Sequence, residues 1–377
     1  MKIAVLKERA EGETRVALTP ETAKKFIALG ADVAVEAGAG ENASIADAAY
    51  TDAGASVGTA DQVVTDAGIV LGVQAPDPAL LKGAKPDAKV AALFDPFRDG
   101  ERVDAYAKAG LEALSMEFMP RITRAQSMDV LSSQSNLAGY KAVLLGAAAV
   151  GCMIPMMMTS AGTVRPAKYV VMGAGVAGLQ AIATAKRLGA VVWASDVRLA
   201  AKEQIESLGG KFIAVEGMED FEDESGYAKP LTPEFIQKVN DTVYEVARDA
   251  DVVVTTARLF GRAAPITVPA SAVEAMKPGA VVIDMNTASG GNCELSEPGK
   301  TTTVGEVTIV APLNVPSMLA EHASEMYARN LLNLMELFIK EGELTLDLED
   351  DVIKGALLTH DGEIVNEQAK QILEGSK

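Results

Sequence analysis

Lys168-Tyr169-Val170-Val171-Met172-Gly173-Ala174-Gly175-Val176-Ala177-Gly178 is the stretch that decides the fold. Its first five residues read as a buried strand, and the three glycines after them have the G-x-G-x-x-G spacing. A helical run over residues 179–188 follows, then a second strand, Val191-Val192-Trp193-Ala194-Ser195, which ends at Asp196. The hexapeptide alone is weak evidence. A strand before it, a helix after it and an acid roughly 20 residues on supply the context in which it has a mechanism. Gly173 allows a tight turn, Gly175 lets the backbone approach a pyrophosphate, and Gly178 lets helix and strand pack closely. The helix N-terminus then faces the phosphates. Asp196 is expected to accept bonds from the adenosine ribose hydroxyls and to repel a 2′-phosphate, so NAD(H) is favoured over NADP(H). Arg198, two residues on, softens that preference. The plain alternative is a glycine turn in an α/β fold that binds nothing.

Strands alternating with helices extend in both directions. Downstream lie Phe212-Ile213-Ala214-Val215, Asp251-Val252-Val253-Val254-Thr255-Thr256 and Ala280-Val281-Val282-Ile283-Asp284. Upstream lie Ile3-Ala4-Val5-Leu6, Asp32-Val33-Ala34-Val35-Glu36, Ile69-Val70-Leu71-Gly72-Val73 and Val90-Ala91-Ala92-Leu93-Phe94. The expected class is α/β with parallel sheets. Thr19-Pro20-Glu21-Thr22 reads as an N-cap, a first-position proline and a capping-box acid opening a helix that Gly30 stops. No glycine fingerprint follows the upstream strands, so this half need not bind a nucleotide itself. Residues 216–230, acidic and aperiodic, are expected to form a mobile surface loop. Met326, Leu331, Leu334, Met335 and Phe338 fall at helical spacing and should pack on the first domain or on a second subunit. Leu344-Thr345-Leu346-Asp347-Leu348 alternates like an edge strand.

The chain has 377 residues, more than one hydrophobic core usually organises, so two domains are expected. Asp and Glu number 52 against 34 Lys and Arg, a formal charge of −18, which argues against nucleic acid and anionic lipid as partners. Two cysteines make no disulfide framework, and Met1-Lys2-Ile3-Ala4-Val5-Leu6-Lys7-Glu8 carries acid and base too early for a secretory leader. A cytoplasmic protein without direct membrane insertion is expected, and no metal site. One stretch competes with that reading. Residues 142–164 hold no charge, and about 20 apolar residues would span a bilayer. The run is rich in Ala and Gly, contains Pro155 and ends in Thr159-Ser160-Ala161-Gly162-Thr163. It is read as a buried helix packed between domains, followed by a loop.

Residues 116–140 run Met116-Glu117-Phe118-Met119-Pro120-Arg121-Ile122-Thr123-Arg124-Ala125-Gln126-Ser127-Met128-Asp129-Val130-Leu131-Ser132-Ser133-Gln134-Ser135-Asn136-Leu137-Ala138-Gly139-Tyr140. No periodicity predicts that string. It resembles the Arg-Gln-Asp loop of the NAD(H)-binding subunit of proton-translocating nicotinamide nucleotide transhydrogenases. Lys7-Glu8 with Thr14-Arg15-Val16-Ala17-Leu18-Thr19-Pro20, Gly226-Tyr227-Ala228-Lys229, Gly290-Gly291-Asn292-Cys293 and Asn314-Val315-Pro316-Ser317 also resemble that family, which includes alanine dehydrogenases.

The resemblance implies two Rossmann-like domains with a nucleotide cleft between them. The first would be residues 1–138 completed by 318–377, and the NAD(H)-binding one residues 139–317. It implies a homodimer, an NADP(H)-binding partner component and a membrane-spanning proton-channel component, which would attach the chain peripherally to the inner membrane. The implied reaction moves hydride from NADH to NADP⁺, in the proton-translocating and not the Si-specific class. Arg121, Asp129 and Ser132 would hold the nicotinamide end, Gln126 would align the two nicotinamides, and Tyr227 beside Gly226 would fold over the nucleotide. Val176, Val197 and Ala257 join the glycines, Asp196 and Arg198 as implied cofactor contacts. An interdomain ion pair is the plain alternative for Arg121 and Asp129.

Direct hydride transfer needs positioning and water exclusion, not an acid or base, and the chain has only His322 and His360. The same poverty argues against alanine dehydrogenase, which shares Arg15 but also uses a lysine, a histidine and an aspartate. Gly72 falls where such enzymes carry the lysine, no histidine surrounds Leu93-Phe94-Asp95-Pro96, and Ala288 replaces the aspartate. The family's Ala-Leu-Ile-Pro-Gly turn appears as Ala257-Arg258-Leu259-Phe260-Gly261. A regulatory paralogue that binds NAD(H) without turnover is a third reading.

Overall fold

Short runs of Val, Ile, Leu and Ala build two separate parallel sheets. The computed structural model describes residues 1–218, 232–259, 261–340 and 342–375. Its internal contacts divide the chain into residues 1–134 with 317–377, and residues 135–316. In the first unit, strands β1 (Lys2–Val5), β2 (Asp32–Glu36), β3 (Ser56–Gly58), β4 (Ile69–Gln74), β5 (Lys89–Leu93) and β6 (Glu112–Ser115) pair in the order β3-β2-β1-β4-β5-β6. All five pairings are parallel. β1 and β4 are buried almost throughout, as strands covered on both faces must be.

The helix Pro20–Ala28 starts as its sequence suggests, with Thr19 as N-cap and Pro20 in the first position. The capping box, however, closes through Thr22 and not through the acid Glu21. Thr22 Oγ1 accepts from Thr19 N at 3.0 Å, because Thr22 is the third helical residue and its hydroxyl reaches back. Leu331, Leu334, Met335 and Phe338 lie buried in the core of this same unit, whereas Met326 is exposed. The C-terminal segment covers the β6 edge. Leu358 N donates to Ala113 O at 2.7 Å and Ala113 N to Thr359 Oγ1 at 2.8 Å, so the strand's polar groups are not left open. Of the alternating 344–348 run only Leu344 pairs, in the two-residue strand Glu343–Leu344 against Ile339–Lys340.

In the second unit a hairpin of β7 (Met157–Thr159) and β8 (Gly162–Val164) precedes β9 (Lys168–Met172), β10 (Val191–Ser195), β11 (Lys211–Phe212), β12 (Val252–Thr255), β13 (Val281–Asp284), β14 (Thr301–Val304) and β15 (Val307–Val310). The large sheet is ordered β11-β10-β9-β12-β13-β15-β14, parallel except for the antiparallel β14–β15 pair. β11 is shorter than its apolar run. Pairing stops at Phe212, although Ile213 N still donates to Ala194 O at 2.8 Å.

The uncharged stretch behaves differently from its reading as a buried helix and a loop. One helix, Val130–Ala149, begins well upstream of it, and Ala148 and Ala149 at its end are exposed. Beyond the helix residues 150–156 are irregular, as a loop is, but residues 157–164 form the exposed hairpin β7–β8. Gly151 lies just past the helix end and Pro155 keeps the helix from resuming, while the Met and Thr residues after them suit strands better. No helix among the described residues is long and apolar enough to cross a membrane. Most of the expected mobile loop, with Gly226 and Tyr227, lies outside the described residues.

Candidate functional site

The glycine turn leaves β9 next to the end of β12, where the strand order of the second sheet reverses. Open α/β sheets take ligands at that crevice, beyond the carboxyl ends of the strands. Gly173 has φ +99°, a left-handed value, and a β-carbon on it would lie 2.8 Å from Thr256 Oγ1. At Gly178 a β-carbon would meet Gly173 O at 1.9 Å, so the first turn of the helix Val176–Arg187 packs against the glycine turn itself. At Gly175 it would meet nothing within 4 Å, which leaves the backbone open to approach. No side chain caps this helix, and the N–H groups of its first turn keep the donor capacity that suits an anion.

Asp196 is tied into the same turn. Its Oδ2 accepts from Ala174 N at 2.7 Å and from Arg198 Nη2 at 3.0 Å. Its Oδ1 accepts from Arg198 N and Nε, both at 2.9 Å. Burial works to raise the carboxyl pKa, but the Arg198 guanidinium and the backbone donors outweigh it and hold it below the usual range. About four lone-pair positions exist on a carboxylate, and these four bonds fill them. A ribose hydroxyl therefore reaches Asp196 only if Arg198 gives way. Val197, between the two, is half-buried.

A second network, whose side chains carry no expected role in the sequence reading, underpins the turn. Thr256 Oγ1 donates to Gly173 O at 2.9 Å. The next carbonyl, Ala257 O, accepts from Asn292 Nδ2 at 2.8 Å and Asn286 Nδ2 at 3.1 Å. Asp284, fully buried at the end of β13, holds that loop in place. Its Oδ2 accepts from Asn292 N, Cys293 N and Ser296 Oγ at 2.8–2.9 Å. The only signal in the sequence is an acid closing an apolar strand, followed by two asparagines and Gly290-Gly291. Arg258, in the departing turn, is exposed, and Phe260 lies outside the described residues.

The Arg121–Asp129 loop belongs to the first unit. Ala125 and Met128 are buried in its core while Arg121 and Gln126 are exposed, so a 3-10 turn over Thr123–Met128 seats the loop by two residues one turn apart. Asp129 and Ser132 are brought together at the start of the helix Val130–Ala149. Ser132 N donates to Asp129 Oδ1 at 2.9 Å and Ser132 Oγ to Oδ2 at 2.5 Å, which is an N-cap. Ser133 Oγ donates to Asn330 Oδ1 at 2.7 Å, and Gln134 Nε2 to Ala323 O at 3.1 Å, so both serve the scaffold.

A polar cluster sits at the first sheet's own reversal point, between β1 and β4. Arg15 donates through Nη2 and Nε to Glu13 at 2.6 and 2.7 Å and through Nη1 to Gln134 Oε1 at 2.9 Å. Gln74 Nε2 and Ser317 Oγ also donate to Glu13, at 3.0 and 2.7 Å. Burial would raise the Glu13 pKa, but Arg15 leads the groups that pull it down to about 2. Gly72 lies within β4, and a β-carbon on it would stand 2.8 Å from Gln74 O, so a longer side chain has no room there. His322 is exposed, and His360 Nδ1 lies 2.8 Å from Glu112 Oε1. Glu112, His360 and Asp361 have metal-ligand spacing, but Lys89 Nζ stands 3.2 Å from Glu112 Oε2 and would oppose a cation.

Comparison with known proteins adds to this geometry. Residues 4–138 match the alanine dehydrogenase/PNT N-terminal domain, and residues 142–367 match the C-terminal domain of the same name. The chain is 50% identical to the first of the polypeptides that make up the NAD(P) transhydrogenase alpha subunit of Rhodospirillum rubrum, covering 97% of this chain and 98% of that one. A transhydrogenase structure from Sinorhizobium meliloti aligns with a TM-score of 0.89 at 48% identity, over 97% of this chain and 100% of that one. An L-alanine dehydrogenase structure aligns at 0.82 with 25% identity, over 100% of each chain.

Proposed function

Because the chain belongs to the alanine dehydrogenase/PNT family, we propose that it is the NAD(H)-binding component of a proton-translocating transhydrogenase. In this reading NADH passes a hydride directly to NADP⁺ held on a partner component, and a membrane component couples the step to proton flow. The chain works in the cytoplasm as a homodimer, held at the inner membrane by those partners. The observation that carries the reading is the loop with Gln126. It stands out from a buried seat, as a group must if it is to meet a nucleotide carried by another polypeptide.

The glycine fingerprint and the resemblance of the 116–140 string to transhydrogenases support the following roles. The glycine turn and Asp196 bind the adenosine diphosphate half of NAD(H), with Val176, Val197 and Ala257 alongside. Arg121, Asp129 and Ser132 hold the nicotinamide end, and Gln126 aligns the two rings. The cofactor supplies the hydride chemistry, so the protein has to orient it and exclude water. Oxidative deamination of an amino acid would need a base to take a proton. The Arg15 cluster speaks against it, since its guanidinium is already engaged by Glu13 and Gln134.

The test is Gln126→Asn. Reacting atoms must approach within about 3–3.5 Å, and a displacement near 1 Å can cost roughly a hundredfold in rate. The variant should bind NADH nearly as wild type does, yet pass hydride to an NADP⁺ analogue on the partner component far more slowly. Unchanged transfer would take the role from Gln126. Alanine-dependent NAD⁺ reduction by the wild-type chain would overturn the assignment.

A further inference from the structure

Arg124 lies two residues before Gln126, in the exposed part of the loop, and forms a two-point fork with a residue from the far end of the chain. Its Nη1 donates to Asp350 Oδ2 at 2.8 Å and its Nη2 to Oδ1 at 2.6 Å. Asp350 is itself fixed. It caps the helix Asp351–Ala356, with Oδ1 accepting from Val352 N at 2.8 Å. A second tether meets the loop one residue past Gln126, where Asn330 Nδ2 and Asn333 Nδ2 donate to Ser127 O at 2.7 and 2.9 Å. Gln126 thus stands between two fastenings. Below it Ala125 and Met128 are buried, at 0% and 4% exposure, and the short turn is closed by backbone bonds from Ala125 N to Ile122 O and from Asp129 N to Gln126 O.

We infer that Arg124 and Asp350 form a clasp that sets the conformation of the Thr123–Met128 turn and so the direction in which Gln126 is presented. This rests on the proposed role of Gln126, and neither residue of the clasp need touch nucleotide. Exposed ion pairs add little to stability, and Arg124 is half exposed. A fork differs from an ordinary pair because two parallel bonds fix orientation as well as distance. Arg124 is held in its charged form and Asp350 in its own, each chiefly by the other. The contact therefore does not loosen near neutral pH. It should loosen with salt, though only partly, because Arg124 is half exposed while the Asp350 side chain is 16% exposed.

The experiment uses the full chain with Arg124→Gln, Asp350→Asn and the double variant. Asparagine keeps an oxygen for Val352 N, so the helix cap survives and only the charged fork is lost. Hydrogen exchange of the Ala125 and Asp129 amides in the nucleotide-free chain is the first readout, and it does not depend on any activity. Each single variant should exchange about tenfold faster there, with the double no faster than either single. Hydride transfer at saturating nucleotide, with the NADP(H)-binding partner present, should fall about tenfold in all three while the Kd for NADH stays within about twofold. Arg124→Lys keeps the charge without the fork and should recover only part of the rate. Unchanged exchange in both singles would overturn the clasp. So would variants whose effects on exchange multiply in the double, because the two residues would then act independently. Faster exchange with an unchanged transfer rate would overturn its link to Gln126. A wild-type chain that passes no hydride, with exchange still responding to both variants, would instead sink the functional reading and leave the clasp standing.

Discussion

Arg198 grips Asp196 along its whole carboxylate edge, with Nε 2.9 Å from Oδ1 and Nη2 3.0 Å from Oδ2. The acid expected to read the ribose is thus held by the cation expected to blur that reading. On the proposed function, binding NADH would exchange the guanidinium for two hydroxyls, while a 2′-phosphate would meet a carboxylate that Arg198 only partly neutralises. NADH should therefore bind more tightly than NADPH, by about tenfold or more, one such step corresponding to about 1.4 kcal/mol. Arg198→Ala should leave NADH binding intact or improved and weaken NADPH further. Equilibrium dialysis with both nucleotides checks this. An Arg198→Ala variant that binds NADPH as well as NADH would mean that Asp196 does not govern the choice.

Gly178 and Gly175 separate scaffold from ligand approach. A β-carbon at Gly178 would lie 1.9 Å from Gly173 O, a backbone atom that cannot step aside, whereas one at Gly175 would meet no protein atom within 4 Å. Overpacking costs about 1–3 kcal/mol, and in a unit of this size each kcal/mol moves the melting point by roughly 2–4 °C. Gly178→Ala should lower the melting temperature by several degrees and abolish NADH binding. Gly175→Ala should melt like wild type and still bind NADH at least tenfold more weakly. Calorimetry and dialysis on the two variants decide it. Equal melting temperatures for both would refute the packing role of Gly178.

Glu8 gives the first unit a pH dependence. It accepts from Val73 N at 2.6 Å and Gln74 N at 3.2 Å, yet burial pushes its carboxyl from an ordinary 4.5 up to about 7. A raised carboxyl pKa means that the folded state binds the proton more tightly. Its contribution therefore favours the fold below about 4.5 and is lost as pH climbs to about 7. Glu13 has the opposite sign, and its contribution is kept above 4.5 and lost only as pH falls toward about 2. Glu8→Gln should remove much of the stability difference between pH 5 and pH 8, seen as urea midpoints that converge. A variant whose midpoints still diverge as in wild type would show that Glu8 titrates normally.

Features carried by neighbours along the chain are the ones legible in the sequence. The β9 run, the glycine turn and the strand that ends at Asp196 are contiguous, and each is where its pattern puts it. The pattern overestimates β11 because Phe212-Ile213-Ala214-Val215 is apolar for packing and not for pairing, since Ile213 and Val215 are buried beyond the ladder's end. Glu21 suggests a capping box because acids are common there, whereas position along the helix selects Thr22. Contacts between distant segments leave no local trace. Nothing near Arg124 announces Asp350, and nothing near Ala257 announces Asn292. Asp284 looks like the end of a strand, and its function as a multiple acceptor depends on a loop that returns to it. Arg198 is visible as a charge, but its grip on Asp196 is a matter of rotamers.

The hairpin β7–β8 is the surface on which a second copy should sit. Met156 is 60% exposed and Met158 74%, with Met153, Met157 and Val164 also open. A lone two-stranded hairpin is marginal in water, so this one needs cover. Its occupant is constrained by charge, because two chains of −18 repel each other. Residues 142–164 carry no charge at all, which makes this a region where like can meet like across a two-fold axis. Met156→Glu with Met158→Glu puts two like charges on each side of such a contact. Sedimentation should show wild type as a dimer and the variant as a monomer at micromolar concentration. NADH binding should persist in the monomer, since the glycine turn and Asp196 belong to one chain and are held by its own bonds. A variant that stays dimeric would place the interface elsewhere, and a monomeric wild type would remove the homodimer from the proposed function.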